Sequence, residues 1–271
     1  MKIRKEHPIG DRIKLILVLV FVLIALGKLT QMKEQNRTIE KSSTIECFLK
    51  TAIQPIGSTM YIWGGGWNGA DDEAGVSTTQ LGLSPQWEKF AKEQDENYDF
   101  EKHRYERENG LDCSGFVGWT LYNTFETKEG QSGYVTLSTD MAESMAERGW
   151  GKLIKNPKEF LPGDIVSMDG HVWICLGTCK DGSVLLVHSS PPGVSVCGTT
   201  FETQSEAVVL ATDYMIKNHS GWQEKYPHRG VSVSYLEDVI LFRWSKSVML
   251  DAEEMQEKSA EEIMRILSPD M

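Results

Sequence analysis

The stretch that decides the fold of this chain runs from Gly110 to Phe125 and reads Gly-Leu-Asp-Cys-Ser-Gly-Phe-Val-Gly-Trp-Thr-Leu-Tyr-Asn-Thr-Phe. Apolar side chains at Val117, Leu121 and Phe125 recur with helical spacing in phase with Cys113. Aromatic residues occupy the faces between them. This pattern predicts a helix that is buried on most of its sides.

Cys113 falls in the first turn of the predicted helix. Backbone N–H groups without partners and the positive end of the helix dipole lie there, and both favour a thiolate over a thiol. Cys113 is therefore a candidate nucleophile. The alternative is a buried structural cysteine in a helix that Asp112 caps. Gly115 weakens helix propensity, which predicts that a sheet or a substrate approaches the backbone closely there.

The amino-acid composition is acidic overall and is typical of a globular protein. The 271 residues carry a formal charge of −11 and are 40% hydrophobic, which allows one substantial core. This charge argues against a nucleic-acid partner. Residues 1–30 differ from the rest because they contain six basic and two acidic residues.

The N-terminal segment, residues 1–30, has basic residues before an apolar run at 15–27. This arrangement predicts an export segment, either a retained signal anchor in the membrane or a cleaved signal peptide. The basic flank predicts that the C-terminal bulk lies outside the cell, on the membrane or secreted. Residues 31–43 are polar and are predicted to form a tether.

Residues 44–245 are predicted to form one mixed α+β domain. Near its start, the run Tyr61-Ile-Trp-Gly-Gly-Gly-Trp67 predicts a tight turn that brings aromatic side chains to a cleft, and a plain loop is the alternative. The polar segment 67–110 is interpreted as an insertion that forms a lid or a surface excursion. Residues 246–271 are predicted to form an acidic C-terminal helix.

Three short runs after the cysteine helix have the pattern of strands: 164–168, 171–176 and 184–188. If residues 178–181 form the second hairpin loop, His171 lies directly opposite His188. Opposite residues point to the same side of a sheet with Cβ atoms about 5 Å apart, so two neighbouring imidazoles are predicted. The alternative for each histidine is a core residue with satisfied hydrogen bonds.

The five cysteines do not predict a disulfide framework, and their odd number leaves at least one outside any disulfide. The disulfide state of Cys47 is left open, as are those of the three cysteines discussed next. A zinc site would need Cys175, Cys179 and Cys197 with a histidine. The first two are separated by three residues across a predicted hairpin, so we expect partly buried thiols, no metal and no cofactor.

Cys113, His171 and His188 together supply the parts of a nucleophilic acyl transfer. In this hypothesis the thiolate attacks a carbonyl, His171 holds the proton and returns it to the leaving amine, and His188 orients the His171 ring. The backbone N–H of Cys113 is the candidate oxyanion donor because it lies at the helix start.

Four motifs occur in the order seen in the NlpC-type family of papain-like cell-wall cysteine peptidases: Tyr61-Ile-Trp-Gly-Gly65, Asp112-Cys-Ser-Gly-Phe-Val117, Gly163-Asp-Ile-Val166 and His171-Val-Trp-Ile174. Val187-His188-Ser189 is similar to the segment with that family's third catalytic residue. The resemblance covers about residues 44–200. The chain departs from the family in the long insertion before Asp112 and in a longer interval between the two histidines.

The resemblance implies an α+β, papain-like fold in which the cysteine helix packs on an antiparallel sheet. It implies cleavage of amide bonds in peptidoglycan stem peptides by Cys113, His171 and His188. Two other readings stay open. One is an amidase that cuts between sugar and peptide, or an acyltransferase, on the same scaffold, and the other is a non-catalytic wall-binding protein.

The same resemblance implies three substrate-binding residues. Tyr61 would line the site near the nucleophile. Asp112 and Ser114 would hold a free amine or the backbone of the substrate. The oligomeric state is not predicted.

Overall fold

The computed structural model describes residues 43–125, 132–200 and 205–268. The predicted export segment and the tether up to residue 42 lie outside these ranges. Ser43 was assigned to the tether, but it is buried and its carbonyl accepts a hydrogen bond from the Leu250 N–H at 3.0 Å. It therefore belongs to the folded domain. Within the described ranges, the helices fall short of the length and apolar character that crossing a bilayer requires.

The helices of the described residues are α1 (Ile45–Ile53), α2 (Pro85–Glu93), α3 (Cys113–Thr124), α4 (Met141–Glu147), α5 (Glu206–Asn218), α6 (Ser220–Lys225) and α7 (Ala260–Leu267). Several begin where the sequence places a hydroxyl or carboxylate cap. The Thr44 hydroxyl accepts from the Cys47 N–H at 3.0 Å, and Ser84 precedes Pro85 at the start of α2. These side chains satisfy N–H groups that a helix start leaves without partners.

The strands are β1 (Met60–Tyr61), β2 (Gly110–Leu111), β3 (Gly151–Lys155), β4 (Ile165–Met168), β5 (His171–Thr178), β6 (Val184–Ser190), β7 (Gly193–Thr200), β8 (Gly230–Ser232) and β9 (Ile240–Trp244). They form a sheet in the order β2-β1-β7-β6-β5-β4-β9-β3, and β8 pairs with β7. The pairs β1–β2 and β7–β8 are parallel and the others are antiparallel. The predicted α+β class is confirmed, but the sheet is mixed rather than antiparallel throughout.

The helix α3 packs on β5 and β6 and is buried along most of its length, as predicted. Val117 and Leu121 have no exposed surface. They belong to the main apolar cluster together with Ile174 and Val187 of the sheet. A second cluster on the other face of the same strands contains Trp173. Because β5 and β6 are apolar on both faces, they are central strands rather than edges.

The insertion 67–110 is packed against the domain rather than extended from it. Trp87 of α2 is 1% exposed and meets Trp119 of α3 edge to face, with ring centroids 6.0 Å apart. The Trp119 indole N–H donates to the Gly82 carbonyl at 3.2 Å. The Tyr98 hydroxyl donates to the Tyr61 carbonyl at 2.6 Å. The insertion is thus attached both to the cysteine helix and to β1.

The predicted C-terminal helix is wrong in extent. Only Ala260–Leu267 is α-helical, and a short 3-10 turn covers Met255–Glu257. The helix begins at 260 because Ser259 and Glu262 form a capping box, which defines a helix start. Residues 246–268 also form part of the core, since Met255 and Ile263 are fully buried in the main cluster.

Candidate functional site

The first turn of α3 is fixed by the residues beside Cys113. One carboxylate oxygen of Asp112 accepts from the Ser114 hydroxyl and from the Gly115 N–H, both at 2.7 Å. A Cβ on Gly115 would lie 2.1 Å from the Gly65 carbonyl oxygen. The predicted close approach at Gly115 is therefore real, but the approaching group is the backbone of the glycine turn rather than a sheet or a substrate.

A cavity of about 280 Å³ opens at the start of α3. Four of the residues predicted from the sequence line it: Tyr61, Asp112, Cys113 and Ser114. Its other lining residues are Trp63, Trp67, Asp71, Tyr105, Leu137, Ser138 and Gly170. The predicted turn that brings aromatic residues to a cleft is confirmed. The insertion contributes Asp71 and Tyr105, so it shapes this cavity.

Trp67 belongs to the aromatic run that was predicted at the cleft, but its contact with Ser114 was not predicted. Its indole N–H donates to the Ser114 hydroxyl at 3.0 Å, and that hydroxyl donates onward to Asp112. An indole N–H is a donor only and needs an acceptor when it is partly buried. A tryptophan in this turn could therefore have indicated that an acceptor lies nearby. The relay joins the glycine turn to the helix start.

His171 and His188 are neighbours, as predicted. The His171 Nε2 and His188 Nδ1 atoms are 2.9 Å apart, and the ring centroids are 5.1 Å apart. Tyr235 lies against both imidazoles at 5.5 and 5.9 Å between ring centroids. Tyr235 comes from a short 3-10 turn far along the chain, and no sequence signal connected it with the histidines.

The predicted strand register was wrong by three residues at the loop and by two residues beside the histidines. The loop between β5 and β6 spans 179–183, because Thr178 pairs with Val184. The register changes again at Leu176, an extra residue between the pairs Cys175–Leu186 and Gly177–Leu185. Such a bulge shifts the pairing by one residue, and each shift of one moves a side chain to the opposite face.

This bulge is what puts both histidines on one face. If the pairing of Thr178 with Val184 continued along the strands without a bulge, His188 would pair with Ile174. The Ile174 side chain lies on the face of the sheet away from His171. With the bulge, Ile174 pairs with Val187 instead. His188 then lies diagonally across from His171 on the same face, within reach of its ring.

Cys113 meets the start of β5. The backbone N–H of Val172, the residue after His171, lies near the Cys113 thiol and favours its charged form, as does the N–H of Cys113 itself. Among the described residues, the Nδ1 atom of His171 has no hydrogen-bond partner. The structure thus brings the thiol to the start of β5, the strand that carries His171, and the neighbouring strand β6 carries His188.

Burial favours the neutral form of each reacting group. Burial and, to a smaller extent, the Asp112 carboxylate raise the pKa of Cys113 to about 12, against the effect of the nearby N–H groups. The N–H groups at the helix start favour the thiolate, as predicted, but burial outweighs them in the resting protein. Burial lowers the pKa of His171 to about 4. It also lowers the pKa of His188, and the charge of Arg229 acts in the same direction.

Cys175 and Cys179 do not line the cavity at Cys113, whereas Cys197 lies beside His188 in a neighbouring cavity. Cys175, Cys179 and Cys197 are thiols that form no disulfide. In the described ranges, one group has metal-ligand spacing: Cys179, Asp181 and Glu206, with donor atoms within 4.8 Å of one another. The Asp181 and Glu206 carboxylates already accept hydrogen bonds from backbone N–H groups of the β5–β6 loop and of the start of α5. These hydrogen bonds explain why the two carboxylates lie close together.

Neither a protein-family model, nor a curated protein, nor a solved structure matches this chain. The motif resemblance to cell-wall cysteine peptidases therefore stays a prediction, and the chemistry of the site has to be argued from its own residues.

Proposed function

We propose that this chain is a cysteine hydrolase that cleaves amide bonds in peptidoglycan stem peptides, on a papain-like fold. The observation that carries the proposal is that Cys113 begins α3, which packs on β5, the strand that begins with His171, and that the His171 ring is hydrogen-bonded to His188. A nucleophile, a base and a group that orients the base are the parts of an acyl-transfer site.

The neutral pair suggests how the reaction proceeds. As the Cys113 sulfur attacks the amide carbonyl, the neutral His171 accepts the thiol proton. The Cys113 N–H stabilises the oxyanion that forms. His171 then gives the proton to the leaving amine, and water hydrolyses the resulting thioester with His171 again as base. His188 keeps the His171 ring in one orientation throughout.

The cavity at Cys113 suits a substrate amine. Two acidic residues, Asp71 and Asp112, line it, and because Asp71 forms an ion pair with Arg107, Asp112 is the carboxylate available to an amine. Burial raises the pKa of Asp112 to about 6, and a bound ammonium group would restore its charge. We also propose that the protein acts outside the cell, on the membrane through residues 1–30 or secreted.

The test is mass spectrometry of purified peptidoglycan fragments after incubation with the full chain. We expect new stem-peptide fragments with the wild-type protein and with Cys179→Ala, a control thiol outside the site, and none with Cys113→Ala. The fragment masses identify the bond and separate a peptidase from an amidase that releases sugar from peptide. Fragments that persist with Cys113→Ala would refute the thiol mechanism.

A further inference from the structure

A second cavity, of about 480 Å³, lies beside His188 and shares no lining residue with the cavity at Cys113. Residues from the ends of β6 and β7 line one side, and the segment 225–231 lines another. Glu96 of the insertion and Tyr235 complete it. The reaction steps described above use none of these residues except His188.

Arg229 in this cavity is a buried cation, and no described residue gives its charge an acidic partner. It is 3% exposed, and no ion pair joins it to a carboxylate within the described residues. Its Nη2 atom donates to the Tyr226 carbonyl, whereas its Nε and Nη1 atoms have no hydrogen-bond partner there. A buried charge with unmade hydrogen bonds destabilises a fold unless something completes it.

The surroundings of Arg229 add to this positive character. Lys225 and His228 also line the cavity, and Glu96 is its only acidic lining residue. The Lys225 ammonium donates to the Gln94 carbonyl at 2.6 Å, so its charge is not neutralised by a carboxylate there. In a chain with a formal charge of −11, a basic cavity stands apart from the rest of the molecule. Such a cavity attracts anions.

We propose that the Arg229 cavity is a subsite that binds a free carboxylate of the peptide substrate. The guanidinium group is planar and donates several N–H groups, which suits a carboxylate. The identity of the ligand rests on the proposed function, since stem peptides carry free carboxylates. The acidic cavity at Cys113 and the basic cavity at His188 would then bind opposite charges of one peptide.

The test compares two forms of one peptide on the full chain that carries Cys113→Ala, which prevents cleavage. The probes are L-alanyl-γ-D-glutamyl-L-lysine with free carboxylates and the same peptide with each carboxylate amidated. Isothermal titration calorimetry should show that the acid binds about 10- to 100-fold more tightly, the range expected for hydrogen bonds to a charged group. Equal affinities would overturn the proposal.

Two variants assign the effect to this cavity. Arg229→Gln should abolish the preference for the acid, whereas Arg265→Gln, an exposed control arginine on α7, should preserve it. An acid preference that survives Arg229→Gln in a folded variant would overturn the proposal. If that variant does not fold, equal affinities of the acid and the amide for the protein with Arg229 still overturn the proposal.

Inorganic phosphate separates a carboxylate site from a general anion site. It should displace the acid peptide only weakly, and phosphate binding that depends on Arg229 without any acid preference would overturn the proposal. The binding measured by calorimetry does not depend on whether the wild-type protein cleaves the peptide. A protein that discriminates acid from amide but yields no fragments refutes the proposed function alone, and one that cleaves without discrimination refutes this inference alone.

Discussion

The two sides of the candidate site are held in place in different ways. On the helix side, Cys113 is positioned by its neighbours in sequence, because Asp112 binds both Ser114 and Gly115. On the hairpin side, the histidines share a face only because of the bulge at Leu176. A local cap depends on a few adjacent residues, whereas a strand register depends on everything that packs against the strand.

The element that packs against the bulge is distant in sequence. Gly177 has a φ of 137°, and a Cβ there would lie 2.9 Å from the backbone of Ala260 in α7. Only glycine adopts this conformation easily while allowing so close an approach. The C-terminal helix therefore takes part in setting the register on which the His171–His188 contact depends.

The largest expected effect is on the hairpin side. His188→Ala removes the partner of the His171 Nε2 atom and should lower kcat/KM for stem-peptide cleavage by roughly 10²- to 10⁴-fold, with most of the loss in kcat. His103→Ala, which removes a histidine of the insertion that lines neither cavity, is the control and should stay within about threefold. Steady-state kinetics with unchanged kcat/KM in His188→Ala would contradict the role assigned to His188.

A smaller effect tests the bulge itself. Gly177→Ala should lower the free energy of unfolding by about 2–4 kcal/mol, because it combines backbone strain with overpacking against Ala260. The control is Gly182→Ala, also at positive φ but with no atom within 4 Å of the added Cβ, which should cost about 1 kcal/mol. Urea unfolding measures both. Equal losses would show that the contact with α7 does not matter.

The smallest effect separates the two sides by their response to pH. His171 has a pKa of about 4, below its ordinary value of 6.5, so the unfolded chain binds more protons and stability falls as the pH drops through this window. Asp112 has a pKa of about 6, above its ordinary 3.8, so the folded chain binds more protons and stability rises as the pH drops. The two contributions oppose each other between pH 6 and 4.

Removing either group should therefore change the slope in opposite directions. Stability of Asp112→Asn should fall more steeply than wild type on acidification, and that of His171→Gln should fall less steeply, by roughly 1–3 kcal/mol across the window. Asparagine still caps a helix, so Asp112→Asn tests the charge rather than the cap. Urea unfolding at several pH values measures the slopes, and parallel curves would contradict both assignments.

The glycine turn and the helix α3 could be predicted because their signals are local. Helical spacing of apolar residues and the Asp112 cap act within one or two turns of the chain. The same holds for the aromatic run from Tyr61 to Trp67, whose glycines allow the tight turn that the sequence indicates. The neighbouring histidines were also predicted, although the register behind that prediction was wrong by two residues.

The remaining features depended on contacts between distant segments. The bulge at Leu176 lies next to Gly177, which packs against α7. Arg229 and Tyr235 lie beside His188 because residues 226–236 pass next to the sheet there. The protonation of Cys113 is a further example. The sequence places a thiol at a helix start, where the dipole favours a thiolate. Burial of the thiol disfavours the charged form more strongly. Only the tertiary structure determines how deeply that thiol is buried.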